Sequence, residues 1–321
     1  MRRGQDIAYA ASVLRAGGLV AFPTETVYGL GADASNDEAV ARVYAVKGRP
    51  RAHPLIVHLA PDPQLDDWAV EIPEVARRLT ALWPGPLTMI LNKSARVASA
   101  ATGGSPTVGL RVPAHPMAQA LLRAFGGGIA APSANRFGAV SPTTADHVAT
   151  DLGDDVDYIL DGGACEVGVE STIIDLSRRR AGAVLLRPGG APREVIEAIT
   201  GPLAPADRDA PAAPGTLESH YAPRARVIAA ALADVPGIVA ASTGKIAVLA
   251  PAGAFAAWPA LPAMAHALPD DAAGMARDLY AALRDLDAAG VDLIVAALPP
   301  EAGLGEAVAD RLRRAAGRPP R

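Results

Sequence analysis

The sequence predicts an α/β protein in which helices cover a sheet, followed by a second, smaller α/β domain. Short apolar runs bounded by glycine or proline alternate with segments whose apolar residues recur at helical spacing. Half of the 321 residues are hydrophobic, which is enough for a sizeable core. A chain of this length favours two domains.

The N-terminal part alternates between helices and strands. Its helices end at glycine and proline breakers, such as Gly17-Gly18 and Pro84-Gly85-Pro86. The predicted helices span 5–16, 36–46, 73–83 and 117–125, and the predicted strands span 18–22, 55–60, 87–91, 108–112 and 129–131. This order indicates one sheet covered by helices.

The composition changes beyond residue 190. Residues 201–215 are rich in proline and alanine and have little periodicity, which predicts a semi-rigid linker. The C-terminal part then has predicted strands at 227–231, 246–250 and 291–298 and predicted helices at 271–288 and 304–315. We therefore predict domains at 1–200 and 226–321, joined by a linker at 201–225 that contains the motif HYAP.

Charge and composition exclude several classes of protein. A net charge of −4 and 4% aromatic residues argue against a globally basic nucleic-acid binder or a base-stacking platform. The single cysteine, Cys165, cannot form an internal disulfide. The N-terminus lacks the apolar region of a signal peptide, and no apolar run reaches the length of a membrane span. We expect a cytoplasmic protein with no membrane contact.

The stretch 23–31, PTETVYGLG, follows a predicted buried strand. We expect it to form a polar turn at the surface, in which Gly29 and Gly31 adopt backbone conformations that a Cβ would penalise. Hydroxyl, carboxylate and phenol groups crowd into residues 24–28, which suits a small ligand. The alternative is an ordinary connection whose threonines cap the next element.

Other polar residues also follow predicted strands. In an open α/β sheet the ligand crevice lies beyond the strand ends, so we expect these groups to converge there. They are Thr107, Arg111, Ser133, Asn135, the segment 170–172 and Arg187. Lys47 and Arg49 follow a predicted helix and suit a polyphosphate or a carboxylate. The alternative for this pair is a solvated helix end favoured by the macrodipole.

Several familiar chemistries find no support. The segment 242–245 lacks the glycine spacing of a phosphate-binding loop, and Ser133 lacks the flanking glycines of a nucleophile elbow. The six histidines have no metal-ligand spacing. A protein nucleophile and a protein metal site are therefore not predicted.

Seven motifs together resemble one family. They are PTETVYGLG, KGRP with HPLIVH, WPGPLT, TVGLRVPAHP, APSANRFG with SPTTADHV, DGG with GVESTIIDL, and LLRPGG. They occur in the order found in YrdC-like proteins, the threonylcarbamoyl-AMP synthases, and span residues 5–190. The segment 214–223, PGTLESHYAP, resembles the linker motif of the long form, although 216–219 differ from the more basic and aromatic linkers of some relatives.

The resemblance implies a fold and a reaction. The fold would be a YrdC-like twisted mixed sheet with helices, followed by a small Rossmann-like domain. The enzyme would be a nucleotidyltransferase that converts L-threonine, bicarbonate or CO₂, and ATP into threonylcarbamoyl-AMP and pyrophosphate. A magnesium ion would accompany ATP, held mostly by substrate oxygens and water. A separate transferase would then modify an adenosine of tRNA, and a weak tRNA contact is a further expectation.

The resemblance also implies the site residues. Lys47 and Arg49 match the family's KxR and would be catalytic as well as ATP-binding. The other nucleotide contacts would be His53, Thr107, Ser133, Asn135, Ser141, Arg187 and Tyr221. The threonine pocket would comprise Thr26, His58, Arg111, the backbone at Ala131, and Ser171. Tyr221 would close over the nucleotide as a lid anchored by the C-terminal domain.

Alternatives remain at this point. The two alternatives are an RNA-binding module and a carbamoyl transferase of the hydrogenase-maturation kind, which shares a YrdC-like domain. The acidic balance weighs against the first alternative, and the absence of cysteine pairs weighs against the second. For single residues, His58 in an apolar strand also fits a core histidine, and Arg187 also fits a surface position.

Overall fold

The computed structural model describes residues 2–62, 65–178, 182–216, 221–258, 261 and 263–317. The chain divides into two compact units. The first comprises Met1–Phe137, Pro142–Glu166 and Glu170–Thr216, and the second comprises Gly138–Ser141, Val167–Val169 and Leu217–Arg321. The boundaries expected from composition, at residues 200 and 226, stay a prediction.

The first unit contains a mixed sheet of twelve strands within the described residues. Eleven of them follow the order β1-β9-β2-β3-β8-β4-β7-β6-β10-β11-β12, and β5 pairs with β6. In chain order, β1 to β12 are Arg3–Gly4, Val20–Phe22, Gly29–Asp33, Ile56–His58, Ala69–Val70, Leu87–Lys93, Thr107–Arg111, Ile129–Ala130, Tyr158–Leu160, Thr172–Asp175, Val184–Arg187 and Ala204–Pro205. The predicted α/β architecture with a mixed sheet is confirmed.

Helices of the first unit begin and end where the sequence provides caps. Asn36 accepts hydrogen bonds from two backbone amides at the start of α2, and Gly48 ends the same helix in a left-handed conformation. The helices α1 to α7 are Ile7–Arg15, Asp37–Lys47, Leu65–Trp68, Glu74–Leu79, Pro116–Phe125, Ala145–Leu152 and Arg193–Thr200. Short 3₁₀ turns follow at Thr80–Leu82, Ser99–Thr102 and Gly153–Asp155.

The central strands β4, β7, β6 and β10 have two chemically different faces because side chains alternate along a strand. One face carries Val57, Leu110, Met89 and Ile174, which belong to the main hydrophobic core. The register pairs Ile56 with Gly109 and His58 with Arg111, so these residues lie on the opposite face. The sheet therefore separates the core from a face that mixes isoleucine with polar residues.

The stretch expected to be a surface turn is buried, and its second half is a strand. Thr24, Thr26 and Tyr28 are each at most 2% exposed. Residues 29–33 form β3, which pairs antiparallel with β2 and β8. Neither Gly29 nor Gly31 has a positive φ, so backbone conformation does not require glycine at these positions. The requirement is steric, because a side chain would have too little space.

The second unit contains a four-stranded parallel sheet in the described residues, with the order β13-β16-β14-β15. Its strands β13 to β16 are Arg226–Ala230, Ile246–Pro251, Met264–Leu268 and Leu293–Ala297, and its helices α8 to α11 are Val235–Ala241, Ala252–Ala257, Ala272–Ala288 and Leu304–Ala316. Three elements of this unit, α8, α9 and β15, were not predicted from the sequence. Pro236 and Gly237 interrupt the pattern of α8, and β15 is a mostly exposed edge strand of low β propensity.

Within the part of the chain that is described, no helix combines the length and the apolar character needed to cross a membrane.

We predict that Gly31→Ala destabilises the first unit by roughly 1–3 kcal/mol. A Cβ at this position would lie 2.7 Å from Cγ2 of Ile129 and 2.9 Å from the ring of Phe22. Both neighbours are fully buried, so neither can move without disturbing the core. Urea unfolding followed by circular dichroism measures the loss.

Gly237→Ala is the control for this substitution. Gly237 lies within α8, and a Cβ there would meet nothing within 4 Å. Since alanine favours a helix over glycine, this variant should be neutral or more stable. Equal stability of Gly31→Ala and the wild-type protein would contradict the account of β3.

Candidate active site

The candidate site lies on the face of the central sheet that is turned away from the main core, which we call the site face. Gly109 lies at its middle, where a Cβ would come within 3.3 Å of Cγ2 of Thr88. The site face comprises Ile56, His58, Thr88, Ile90, Thr107, Gly109, Arg111, Ser171, Ile173 and Arg187. The three isoleucines form a small hydrophobic cluster against which Ala213 packs.

Arg111 is buried at the end of β7 and is held from several sides. Its Nε donates to the carbonyl of Gly85 at 3.3 Å, and its Nη1 donates to Oγ1 of Thr26 at 2.9 Å. Its Nη2 lies 2.6 Å from Oε1 of Glu25. This last contact is an ion pair without hydrogen-bond alignment, since neither atom has a hydrogen-bond partner among the described residues.

Thr24 and Thr26 connect Arg111 to the backbone of the buried turn. The hydroxyl of Thr24 donates to the carbonyl of Val27 at 2.6 Å and lies 2.8 Å from the hydroxyl of Thr26. Because Thr24 has a single hydroxyl proton, Thr26 donates in the bond between them. The Thr26 hydroxyl therefore accepts a hydrogen bond from Arg111 and donates one to Thr24, so the series of hydrogen bonds runs from Arg111 to the carbonyl of Val27.

His58 pairs with Arg111 across the two parallel strands. Burial, and next the positive charge of Arg111, lower the pKa of His58 to about 3. Its ring packs edge-on against Phe22 at 5.7 Å, and its Nδ1 has no hydrogen-bond partner among the described residues. His58 is thus a neutral imidazole with an available nitrogen on the site face.

Lys47 is buried at the end of α2 and is not a solvated helix end. Its Nζ donates to the carbonyls of Ser133 and Asn135 and lies 3.5 Å from Oδ1 of Asn135. Burial, and then the positive charge of Arg49, hold the pKa of Lys47 well below its usual value. Ser133 also pairs with Gly29, so Lys47 joins the segment after β8 to the start of β3.

Arg49 and His53 both pack near the ring of Phe137. The Arg49 guanidinium donates from Nη2 to the carbonyl of Pro54 at 3.1 Å and lies 5.7 Å from the centre of the Phe137 ring. The His53 ring lies 5.6 Å from the same ring. Only 7% of Arg49 is exposed, so the alternative of a solvated helix end does not hold for this residue either.

Arg187 is buried at the end of β11 and is not a surface residue. Its Nη2 donates to the carbonyl of Ser171 at 2.7 Å, and its Nη1 donates to the carbonyl of Pro214 at 2.9 Å. The Ser171 hydroxyl lies 2.8 Å from that of Thr88. Residues 212–214 thus cover the part of the site face that holds Thr88, Ile90 and Thr107.

We expected the polar groups to converge beyond the ends of the strands. In the structure they do not converge there. Thr107 begins β7 and Arg111 ends it, which separates them by about 13 Å at the usual rise of a strand. They share the site face because both occupy alternate positions of one strand. Ala131 follows β8, and its N–H donates to the carbonyl of Ile56 at 2.9 Å, so this N–H is already paired.

Ser141 and Tyr221 belong to the second unit. Ser141 is fully buried, and Arg284 donates to its carbonyl at 3.4 Å and to the carbonyl of Val140. Tyr221 is also buried, with φ of 62°, and its ring stacks on Tyr280 at 5.7 Å between centres. His220 of the HYAP motif lies outside the described residues.

Three residues of the site were missed by the sequence analysis. Glu25 was noted only as part of a polar turn, although a carboxylate between two threonines is unusual in a buried segment. Thr88 and Phe137 carry no local signal. Their positions follow from strand pairing with β10 and from the packing of Arg49, which a single sequence does not reveal.

Among the residues that the structure describes, no group of three or more His, Cys, Asp or Glu is arranged to hold a metal ion. The site contains four buried basic residues: Lys47, Arg49, Arg111 and Arg187.

Comparison with known families identifies the class of the protein. A family model covering Sua5, YciO and YrdC, described as telomere recombination, matches residues 12–189. A second model, described as the C-terminal domain of threonylcarbamoyl-AMP synthase, matches residues 191–317. The chain belongs to the Sua5/YciO/YrdC family, and the resemblance drawn from its motifs is confirmed.

Individual relatives match along almost the whole chain. The threonylcarbamoyl-AMP synthase of Pyrococcus abyssi is 44% identical over 97% of this chain and 94% of its own length. The threonylcarbamoyl-AMP synthase of Bacillus subtilis is 42% identical over 97% of this chain and 93% of its own length. The crystal structure of P. abyssi Sua5 complexed with L-threonine matches with a TM-score of 0.90 at 42% identity, covering 98% of this chain and 96% of that one.

We predict that His58→Gln reduces the loss of stability at acidic pH. In the unfolded chain the pKa of His58 is about 6.5, whereas in the folded protein it is lowered to about 3. The neutral imidazole therefore contributes stability that is complete above pH 6.5 and is lost as the pH falls towards 3. Between pH 6 and 4, the slope of the free energy of unfolding against pH should be smaller in the variant by up to about 1.4 kcal/mol per pH unit.

Urea unfolding at a series of pH values compares the two slopes. His53 and His115, whose pKa values burial also lowers, are present in both proteins and cancel in the comparison. Parallel slopes for the wild-type protein and His58→Gln would contradict a buried, neutral His58.

Proposed function

We propose that this chain forms threonylcarbamoyl-AMP and pyrophosphate from L-threonine, bicarbonate and ATP. The observation that carries the proposal is the buried Arg111 guanidinium beside Thr26 and His58, on the same face as a second buried cation, Arg187. Two separate anion sites on one face suit an amino acid and a nucleotide. The whole-length match to synthases of this name supports the same reaction.

The amino-acid pocket of this proposal is built around Arg111. The guanidinium would bind the threonine carboxylate through N–H groups other than the two that donate to Gly85 and Thr26, beside the Nη2 contact with Glu25. The other members would be Thr26, His58, the Ala131 carbonyl and Ser171. A neutral His58 can accept or donate one hydrogen bond without adding charge.

The nucleotide contacts of this proposal are the remaining buried cations and the polar groups near them. Lys47 and Arg49 would neutralise the triphosphate, with Ser133, Asn135 and His53 beside them. Thr107 and Arg187 would contact the rest of the nucleotide. Because Arg187 donates to Pro214, nucleotide binding would exchange this contact for one with the ligand. Ser141 and Tyr221 stay predictions from the resemblance.

The chemistry needs positioning more than a protein nucleophile. The threonine ammonium first loses a proton to water, and the neutral nitrogen forms a bond to the carbon of CO₂ as one C=O π bond opens and a second N–H proton leaves. With bicarbonate the C–OH bond breaks and water leaves, and either route gives a carbamate. A carbamate oxygen then attacks the α-phosphorus in line, and the bond to pyrophosphate breaks. Lys47 and Arg49 would stabilise the charge that develops on the phosphates, and we assign them the catalytic role on this ground.

A magnesium ion is part of the proposal as a companion of ATP. Since the described residues offer no cluster of metal ligands, phosphate oxygens and water would hold the ion. Its contribution would be to neutralise phosphate charge.

The product would be consumed by a separate transferase that moves the threonylcarbamoyl group to an adenosine of tRNA. A mixed anhydride of a carbamate and a phosphate is labile, so rapid transfer to this partner is expected. We place this step in the cytoplasm, where tRNA and ATP are available. The alternatives of an RNA-binding module and of a hydrogenase-type carbamoyl transferase gain nothing from the relatives that match along the whole chain.

We predict that pyrophosphate release from ATP requires both L-threonine and bicarbonate. The reason is that the attacking oxygen belongs to the carbamate, which exists only when both are present. A coupled pyrophosphate assay with magnesium measures the rate, and L-serine serves as the control amino acid. Release that is independent of L-threonine would contradict the proposal.

We predict that Lys47→Ala lowers this rate by at least about a thousandfold, the scale of losing a charge-stabilising group. Lys245→Ala is the matched control, because Lys245 is exposed in the second unit. Thermal unfolding must accompany the assay, since Lys47 also binds the carbonyls of Ser133 and Asn135. A folded Lys47→Ala protein with wild-type activity would contradict the assignment.

A further inference from the structure

Glu25 is a buried carboxylate that none of the roles above uses. Its Oε1 lies 2.6 Å from Nη2 of Arg111, and its Oε2 accepts the N–H of Ala114 at 3.0 Å. Both charged side chains are almost inaccessible, with 7% of Glu25 and 4% of Arg111 exposed. Because solvent cannot screen such a pair, its charges act directly on anything that binds beside it.

Among the residues that the structure describes, Glu25 is the carboxylate that contacts Arg111. The described groups whose charges interact with Arg111 or Glu25 include His58, His115 and Cys165, and the exposed Glu166 also acts on the last two. Burial lowers the pKa values of both histidines and raises that of the Cys165 thiol, so all three are neutral at pH 7. Arg111 and Glu25 therefore leave the pocket with no net charge.

A pocket without net charge favours a ligand without net charge. L-Threonine at neutral pH is a zwitterion, so its ammonium and carboxylate cancel. An otherwise similar 2-hydroxy acid lacks the ammonium and carries one negative charge. Binding it beside Glu25 would leave an unbalanced negative charge next to two side chains that are shielded from water, which is costly.

We propose that Glu25 determines specificity in the amino-acid pocket: its carboxylate balances Arg111, so that the pocket accepts a zwitterionic amino acid and rejects the corresponding 2-hydroxy acid anion. The proposal rests on the proposed function, because it takes Arg111 to bind the ligand carboxylate. The carboxylate is common to both ligands. Selection therefore arises from the ammonium, which the negative charge of Glu25 favours.

Glu25→Gln removes the charge and keeps an oxygen that can accept the N–H of Ala114. The pocket of this variant carries one positive charge, which suits the 2-hydroxy acid anion and leaves the zwitterion unmatched. Glu25→Asp shortens the side chain but keeps the charge, so it should keep the selectivity. Glu166→Gln is the matched control, because Glu166 carries the same charge in water next to Cys165.

Isothermal titration of the full chain with L-threonine and with 2,3-dihydroxybutanoate of the same stereochemistry measures the ratio of the two affinities. We expect the wild-type protein to prefer L-threonine by at least about tenfold, and Glu25→Gln to reduce this ratio by at least about tenfold. Glu25→Asp and Glu166→Gln should keep the wild-type ratio. A role in folding alone would change stability or both affinities, but not their ratio.

An unchanged ratio in folded Glu25→Gln would overturn the proposal while leaving the function of the chain intact. If that variant does not fold, the wild-type comparison still decides, since similar affinities for both ligands overturn the proposal. A wild-type protein that binds no L-threonine would instead contradict the proposed function itself, and with it this inference.

Discussion

The site depends on the two-residue repeat of the central strands. Alternation sends Val57, Leu110 and Met89 into the core and leaves His58 and Arg111 on the other face. A slip of one residue in register would exchange the two faces and place a guanidinium in the hydrophobic core. The burial of the core side therefore fixes the position of the polar groups, and the chemistry of the site follows from the stability of the sheet.

Buried cations impose the second constraint. Each cation has polar partners supplied by the protein: Lys47 has backbone carbonyls, Arg187 has the carbonyls of Ser171 and Pro214, and Arg111 has Glu25. Such partners hold a charged group in place before a ligand arrives, which lowers the cost of ordering it on binding. The unusual burial of these residues is therefore consistent with a site built for anions.

The sequence predicted the class of fold and most of the charged residues of the site, because strand periodicity and breakers are local signals. It did not predict that 29–33 is a strand, since the need for Gly31 arises from packing against Phe22 and against Ile129, which is distant in sequence. It also placed the crevice beyond the strand ends, whereas the groups share a face. Contacts such as that between Glu25 and Arg111 depend on tertiary structure, which residue patterns do not encode.

The central claim is that the two anion sites of this chain serve one reaction, which joins three substrates. The most direct measurement is mass spectrometry of the product formed from ATP, L-threonine and ¹³C-labelled bicarbonate. The account predicts a single species that contains AMP, threonine and one labelled carbon. Formation of AMP or ADP without any adduct that contains both threonine and the label would contradict it.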